Sequence, residues 1–299
     1  MKKLVFLILL QIIVYPSGAQ VSQGLEGLIC KGARVQLAGS GYSFTEGPSV
    51  SRDGRVFFTD QPTDRIYVWD QKSGITLFME GTERSNGTWF DREGNLLACA
   101  DLHNSIVKIT PSGEVITVYD KGFGGVHLNG PNDLWQDRKG GIYFTDPYFR
   151  RDYWEAGHKQ EQDKQAVYYL NPAGELVRVI EDLRVPNGIV GTPDGKYLFV
   201  ADMMGRATYK YTLNADGLPG NKTLVAKSGS DGMTIDRQGN IYLTAGKVLV
   251  FNPEGQKIGE IGLPETPTNV CFGGKKRNIL FITARTTVYT LKMKVKGVE

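Results

Sequence analysis

Histidine and cysteine are scarce in this chain, three of each among 299 residues, and neither falls into a pattern that chemistry uses. Cys30, Cys99 and Cys271 include no Cys-x-x-Cys pair, and an odd number leaves at least one thiol outside any disulfide, so they read as small buried or half-buried residues. His103, His127 and His158 are scattered and supply no Cys/His cluster for a structural zinc. There is no Gly-x-Ser-x-Gly elbow, which leaves serine-type hydrolysis poorly supported, and no phosphate-cradling Gly-x-x-x-x-Gly-Lys-Ser/Thr loop. Apolar periodicity of the helical kind is also missing, so almost no helix is expected.

Only one long apolar run occurs, Leu4 to Val14, preceded by Lys2 and Lys3 and followed by Ser17-Gly18-Ala19. It is too short to span a bilayer, and Gln11 and Pro16 interrupt it, so residues 1–19 read as a signal peptide, with an uncleaved anchor as the alternative. Cleavage after Ala19 removes two lysines and no acid, taking the formal charge from +3 to +1. Such a balance argues against a broad nucleic-acid-binding surface. No Pro/Ser/Gly linker divides residues 20–299, which are expected to form one domain, secreted and periplasmic, acting as a monomer with no membrane contact after cleavage.

What the sequence has in abundance is repetition. An oxygen-bearing side chain stands eight residues ahead of a turn glycine five times: Glu46 and Gly54, Asn86 and Gly94, Asn132 and Gly140, Asn187 and Gly195, Asp231 and Gly239. After each glycine comes an aromatic or β-branched strand ending in a small residue and often Asp, as in Val56-Phe57-Phe58-Thr59-Asp60 or Ile142-Tyr143-Phe144-Thr145-Asp146. Six such strands recur, the last being Ile279 to Ala284, at the period of a four-stranded propeller blade. The fold expected is therefore all-β, a six-bladed β-propeller. The last blade runs out of chain after Thr287 to Met293, so Ala33 to Leu37 is expected to pair with that strand and close the ring.

In a propeller the first strand of each blade lines the axis, which puts the five repeated residues at one mouth. Second strands return Asp60, Asp101, Asp146 and Asp202 to the same face, where they read as turn-stabilising strand ends, with Asp146 and Asp202 also within reach of a substrate. The longest loop over that mouth, 147–165, reads as a lid. Two carboxylates and three amides around one axis are hard oxygen donors suited to calcium, magnesium or manganese. The alternative is that the Asn and Asp residues cap turns beside Gly or Pro, which accounts for single positions but not for Glu46 or for the shared register. A cation so held would polarise a carbonyl or phosphoryl oxygen while a neighbouring carboxylate handles the proton or the attack.

Thr45-Glu46-Gly47-Pro48, Leu128-Asn129-Gly130-Pro131-Asn132-Asp133-Leu134, Val185-Pro186-Asn187-Gly188-Ile189 and Asp231-Gly232-Met233 resemble phrases of the gluconolactonase / regucalcin (senescence marker protein) / luciferin-regenerating enzyme family of six-bladed propellers. The resemblance runs from Gly41 to Ala284 and looks most like secreted bacterial gluconolactonases. It implies one divalent cation, calcium first with magnesium, manganese or zinc as substitutes, held by Glu46, Asn187 and Asp231 with Asn132 beside the metal or the substrate. It also implies that Asp231 is the catalytic acid/base. Whether Asp231 takes a proton from water or attacks the carbonyl directly stays open.

The chain departs from the regucalcin-like pattern at Gly130, where that pattern has an Arg that grips a polyol. Substrate contacts are therefore expected from Asn132, Asn86 and Arg84, from Arg150 and Arg151 on the lid, and from His127 at the rim. The activity implied is metal-dependent opening of a sugar lactone such as gluconolactone to its acid. A lactonase or phosphotriesterase of other scope and a non-catalytic binding propeller are the competing readings.

Overall fold

The structure is a computed structural model, and residues 19–298 are described. The expected signal peptide, residues 1–19, therefore falls outside the described residues except for Ala19. Every strand pairing is antiparallel, and one short 3-10 turn, Gln61–Thr63, is the helical structure present among the described residues.

The chain forms an all-β propeller. Ser85–Phe90, Leu96–Ala100, Ser105–Ile109 and Val115–Tyr119 make one four-stranded sheet. Leu134–Gln136, Ile142–Asp146, Ala166–Leu170 and Leu176–Ile180 make the next, and Pro186–Gly191, Tyr197–Asp202, Ala207–Leu213 and Pro219–Ala226 the third. A further sheet runs Met233–Ile235, Ile241–Ala245, Lys247–Phe251, Lys257–Gly262 and takes Gln20–Val21 as a fifth, outer strand. The remaining strands form a single six-stranded sheet: Asn269–Gly273, Ile279–Lys292, Gln36–Val50, Val56–Asp60, Arg65–Asp70 and Gly74–Glu80.

The blades number five, not the six expected from the sequence. The closing strand itself is the reason. Gln36–Val50 is continuous, pairing Gln36 with Thr290 and Gly39 with Val288 at one end and Val50 with Val56 at the other. Ile279–Lys292 in turn pairs with Asn269–Gly273 through its first half and with Gln36–Val50 through its second. The first and last repeats are thereby hydrogen-bonded into one ladder. The closing contact sits slightly later than expected: among 33–37, Gln36 and Leu37 are paired.

Burial follows from the stacking of blades. Second strands such as Val56–Asp60 and Ile142–Asp146 are buried at every position because a neighbouring sheet covers each face, whereas an outermost strand, Val115–Tyr119, is largely exposed. Phe57 exemplifies the packing between blades, its ring edge-on to Phe78 of its own sheet and to Phe90 of the next. The repeated turn glycines have a common cause: Gly54, Gly94, Gly140, Gly195 and Gly239 all carry φ between 71° and 95°, where a Cβ is strained.

Candidate functional site

Four of the innermost strands carry at their entry ends an axial residue followed by a glycine that lets the next sheet come close. A Cβ on Gly87 would stand 2.5 Å from the Asn132 carbonyl oxygen and 2.6 Å from Asp133 Cα. One on Gly188 would stand 2.5 Å from the Asp231 carbonyl oxygen. Backbone bonds fasten the same seams: Gly87 N–H donates to Asn132 O at 2.8 Å and Gly232 N–H to Thr268 O at 2.8 Å. Glu46-Gly47, Asn86-Gly87, Asn187-Gly188 and Asp231-Gly232 are thus one device repeated around a ring.

The structure brings Glu46, Asn187 and Asp231 together at one end of that ring. Asn187 Nδ2 donates to Asp231 Oδ1 at 2.8 Å, and the Glu46 and Asp231 carboxylates lie within each other's field. Gly47 N–H donates to Glu46 Oε2 at 2.7 Å. Asn86 is buried at the equivalent place, and its Oδ1 has no hydrogen-bond partner. Asn132 is held by its backbone, its N–H donating to Thr145 O at 2.8 Å, and no hydrogen bond joins its side chain to Glu46, Asn187 or Asp231 among the described residues.

Two residues at the axis escaped the sequence reading. Asn269 Nδ2 donates to Glu46 Oε2 at 3.0 Å, making it the sixth member of the ring. It has no glycine eight positions on, since Arg277 stands there, but Pro267-Thr268-Asn269 echoes Pro186-Asn187 and could have flagged it. Asp133 is the other: its Oδ1 accepts Leu134 N–H at 2.9 Å, and its charge reaches Glu46.

Electrostatically the cluster is unbalanced. Burial pushes Glu46 well above its ordinary range, and the negative charges of Asp231 and Asp133 add to this against the Gly47 N–H and the Asn269 amide. Burial likewise lifts Asp133 to about 7, opposed by the N–H groups of Leu134 and Ile189 and by Asn269. Asp231 is also raised by burial to about 7, with the Asn187 amide and the distant Arg151 charge pulling the other way. No ion pair reaches any of the three carboxylates among the described residues.

An oxygen-donor cation fits this set. Buried carboxylates that repel one another and an orphaned amide oxygen on Asn86 are what such an ion would neutralise and satisfy. Among the described residues no three His, Cys, Asp or Glu side chains stand close enough to hold a metal by themselves, so amide oxygens would have to complete the sphere. Behind the cluster an axial cavity of about 90 Å³ is lined by Val50, Phe90, Leu134, Val190, Met233 and Cys271. On the mouth side Asp231 borders an open pocket of about 410 Å³ with Met203, Arg206, Lys227 and Thr266.

The remaining candidates lie farther out. Arg84 lies 4.8 Å over the ring of lid residue Tyr153 and donates to Pro62 O. Arg150 turns into the lid, its Nη1 donating to His158 O at 3.0 Å. His127 is 70% exposed, with Nδ1 3.1 Å from Glu161 Oε1, and lines a separate cleft of about 800 Å³ with His103, Trp154 and His158. The structure does not bring Arg150 or His127 to the carboxylate cluster; Arg151 is the lid cation whose charge is felt there.

Fold and site together define a β-propeller with an oxygen-lined axial centre. The chain belongs to the SMP-30/gluconolactonase/LRE-like family, whose region matches residues 44–286. It is 27% identical to a gluconolactonase of Zymomonas mobilis, over 92% of this chain and 86% of that one. A solved gluconolactonase from Xanthomonas campestris superposes with a TM-score of 0.84 at 26% identity, covering 92% of this chain and 94% of that one. A calcium-binding regucalcin from Agrobacterium tumefaciens shares the fold, with a TM-score of 0.73 at 19% identity over 87% of this chain and 94% of that one.

Proposed function

We propose that this protein is a metal-dependent lactonase that opens an aldonolactone such as gluconolactone to its acid. The observation that carries the reading is the buried set of Glu46, Asp133 and Asp231, with no protein cation paired to it among the described residues. Two gluconolactonase relatives support the substrate class. Glu46, Asn187 and Asp231 would hold the ion, with Asn132 and Asn86 beside it; the donors are all oxygen, which favours calcium, as does the calcium-binding relative. When bound, the ion supplies polarisation of the lactone carbonyl.

The protein's own residues supply the rest. Asp231 takes a proton from water through a carboxylate oxygen as the water oxygen bonds to the carbonyl carbon. The ring C–O bond then breaks, and the proton on Asp231 goes to the departing alkoxide. Asn187, donating to Asp231 Oδ1, fixes which carboxylate oxygen faces the mouth. The lid excludes bulk water. Residues 20–299 are taken as one secreted, monomeric unit. Assay of the purified protein on a lactone panel, after chelation and after metal add-back, tests the function.

A further inference from the structure

The four carboxylates that end the second strands do not share one job. Asp60 accepts Ser43 N–H at 3.1 Å and Phe44 N–H at 2.8 Å; Asp146 accepts Asn129 N–H at 2.9 Å and Gly130 N–H at 2.8 Å; Asp202 accepts Arg184 N–H at 2.9 Å and Val185 N–H at 3.0 Å. In each case the bonded pair stands three and two residues ahead of an axial residue, Glu46, Asn132 or Asn187. Those aspartates staple the approach to the axis.

Asp101 is released from that duty. Ahead of Asn86 the backbone donates to Asp64 Oδ1 instead, from Arg84 N–H, two residues ahead, at 2.7 Å and from Thr82 N–H at 2.9 Å. Asp101 is fully buried, and its Oδ2 receives Gln61 Nε2 at 3.0 Å, Arg151 Nε at 2.6 Å and the Tyr153 hydroxyl. Trp154 Nε1 donates to its carbonyl at 3.3 Å. Three lid residues therefore converge on one aspartate. Gly130 makes room for them: its φ is +145°, and a Cβ there would stand 2.8 Å from Asp101 Oδ1 and 3.4 Å from the Trp154 ring.

We propose that Asp101 is a latch that seats the 147–165 segment over the mouth and orients Arg151 to grip the hydroxyl-rich tail of a sugar lactone. The inference rests on the lactonase reading above. With Nε engaged by Asp101, the two Nη groups of Arg151 have no protein hydrogen bond among the described residues and are the planar donors a polyol's oxygens would meet. Asp101 is a positioning residue; Arg151 sets specificity.

Gluconolactone and δ-valerolactone, the same ring without hydroxyls, separate grip from chemistry when assayed with the parent, Arg151→Met, Arg151→Lys and Asp101→Asn. Arg151→Met is expected to raise KM for gluconolactone about tenfold with little change in kcat, and to leave δ-valerolactone within about twofold. Arg151→Lys should recover little, because an ammonium lacks the fork. Asp101→Asn should move KM in the same direction by less, and should speed hydrogen exchange across 147–165. Equal effects on both lactones, or none, overturn the proposal. If the parent turns over neither lactone at any metal concentration, the lactonase reading fails instead, and exchange alone then judges the latch: unchanged protection of 147–165 in Asp101→Asn overturns it.

Discussion

Asn269 and Glu46, 223 positions apart, meet at the axis, where the amide nitrogen donates to Glu46 Oε2 at 3.0 Å. The bond joins the last axial residue to the first and pulls against the burial that pushes the Glu46 carboxyl up. Replacing Asn269 by Ala leaves that oxygen short of a donor inside the protein. Stability should fall by roughly 1–3 kcal/mol, read by urea unfolding, and calcium affinity should weaken, read by titration calorimetry. An unchanged midpoint and affinity would mean the amide is incidental.

Asp231 and Glu46 should fail differently. Asp231→Asn retains an oxygen donor but cannot accept a proton, so turnover should drop about 10²- to 10⁴-fold with some metal binding kept. Glu46→Gln removes charge from the ion's sphere, and excess metal should restore part of its activity. Steady-state kinetics against metal concentration distinguishes the two. An Asp231→Asn enzyme within about tenfold of the parent would move the base elsewhere.

Burial raises Asp133 and Asp231 to about 7, which fixes the sign of a pH effect. A carboxyl whose folded value lies above its unfolded value of about 4 gives stability that is fully present below the unfolded value and lost as pH rises through the folded one. In chelator, the urea midpoint should therefore fall between about pH 4 and pH 8. A calcium ion held by these carboxylates would bind their ionised forms, so its stabilising effect should grow over the same window. A chelated midpoint that climbs with pH would contradict this electrostatic picture.

Gly87 has an ordinary backbone angle, so its constraint is purely one of space: a Cβ would press within 2.6 Å of the Asp133 backbone. Gly87→Ala should cost about 1–3 kcal/mol by overpacking, seen in urea unfolding. It should also lower activity by shifting Asp133 and Asn132. Wild-type stability in this variant would show that the seam between blades is loose.

These residues also mark what the sequence made legible. Glu46, Asn187 and Asp231 could be placed together because each precedes a turn glycine by a fixed interval, and that glycine is demanded by a positive φ. Asn269 was hidden because the final repeat uses a different turn, with Gly274 at φ +77° and Arg277 at +54°. Asp133 was hidden by its neighbour: Pro131-Asn132-Asp133 offers two oxygen-bearing side chains just ahead of Leu134–Gln136, and the repeat interval singles out Asn132 alone. The five-sheet grouping depends on hydrogen bonds running on through Gln36–Val50, a register property that spacing does not encode. His127 and Arg150 were plausible from proximity in sequence, but loop partners, Glu161 and the His158 carbonyl, turn them away.

The central claim is that the axial oxygens hold a cation needed to open a lactone, and metal-dependent turnover tests it most directly. Purified protein beginning at Gln20 would be stripped with chelator and assayed for proton release from gluconolactone, then again as calcium is returned. Activity should be lost on stripping, restored by calcium in the parent, and not restored in Asp231→Asn. Full activity after complete metal removal, or no activity on any lactone with metal saturating, would contradict it.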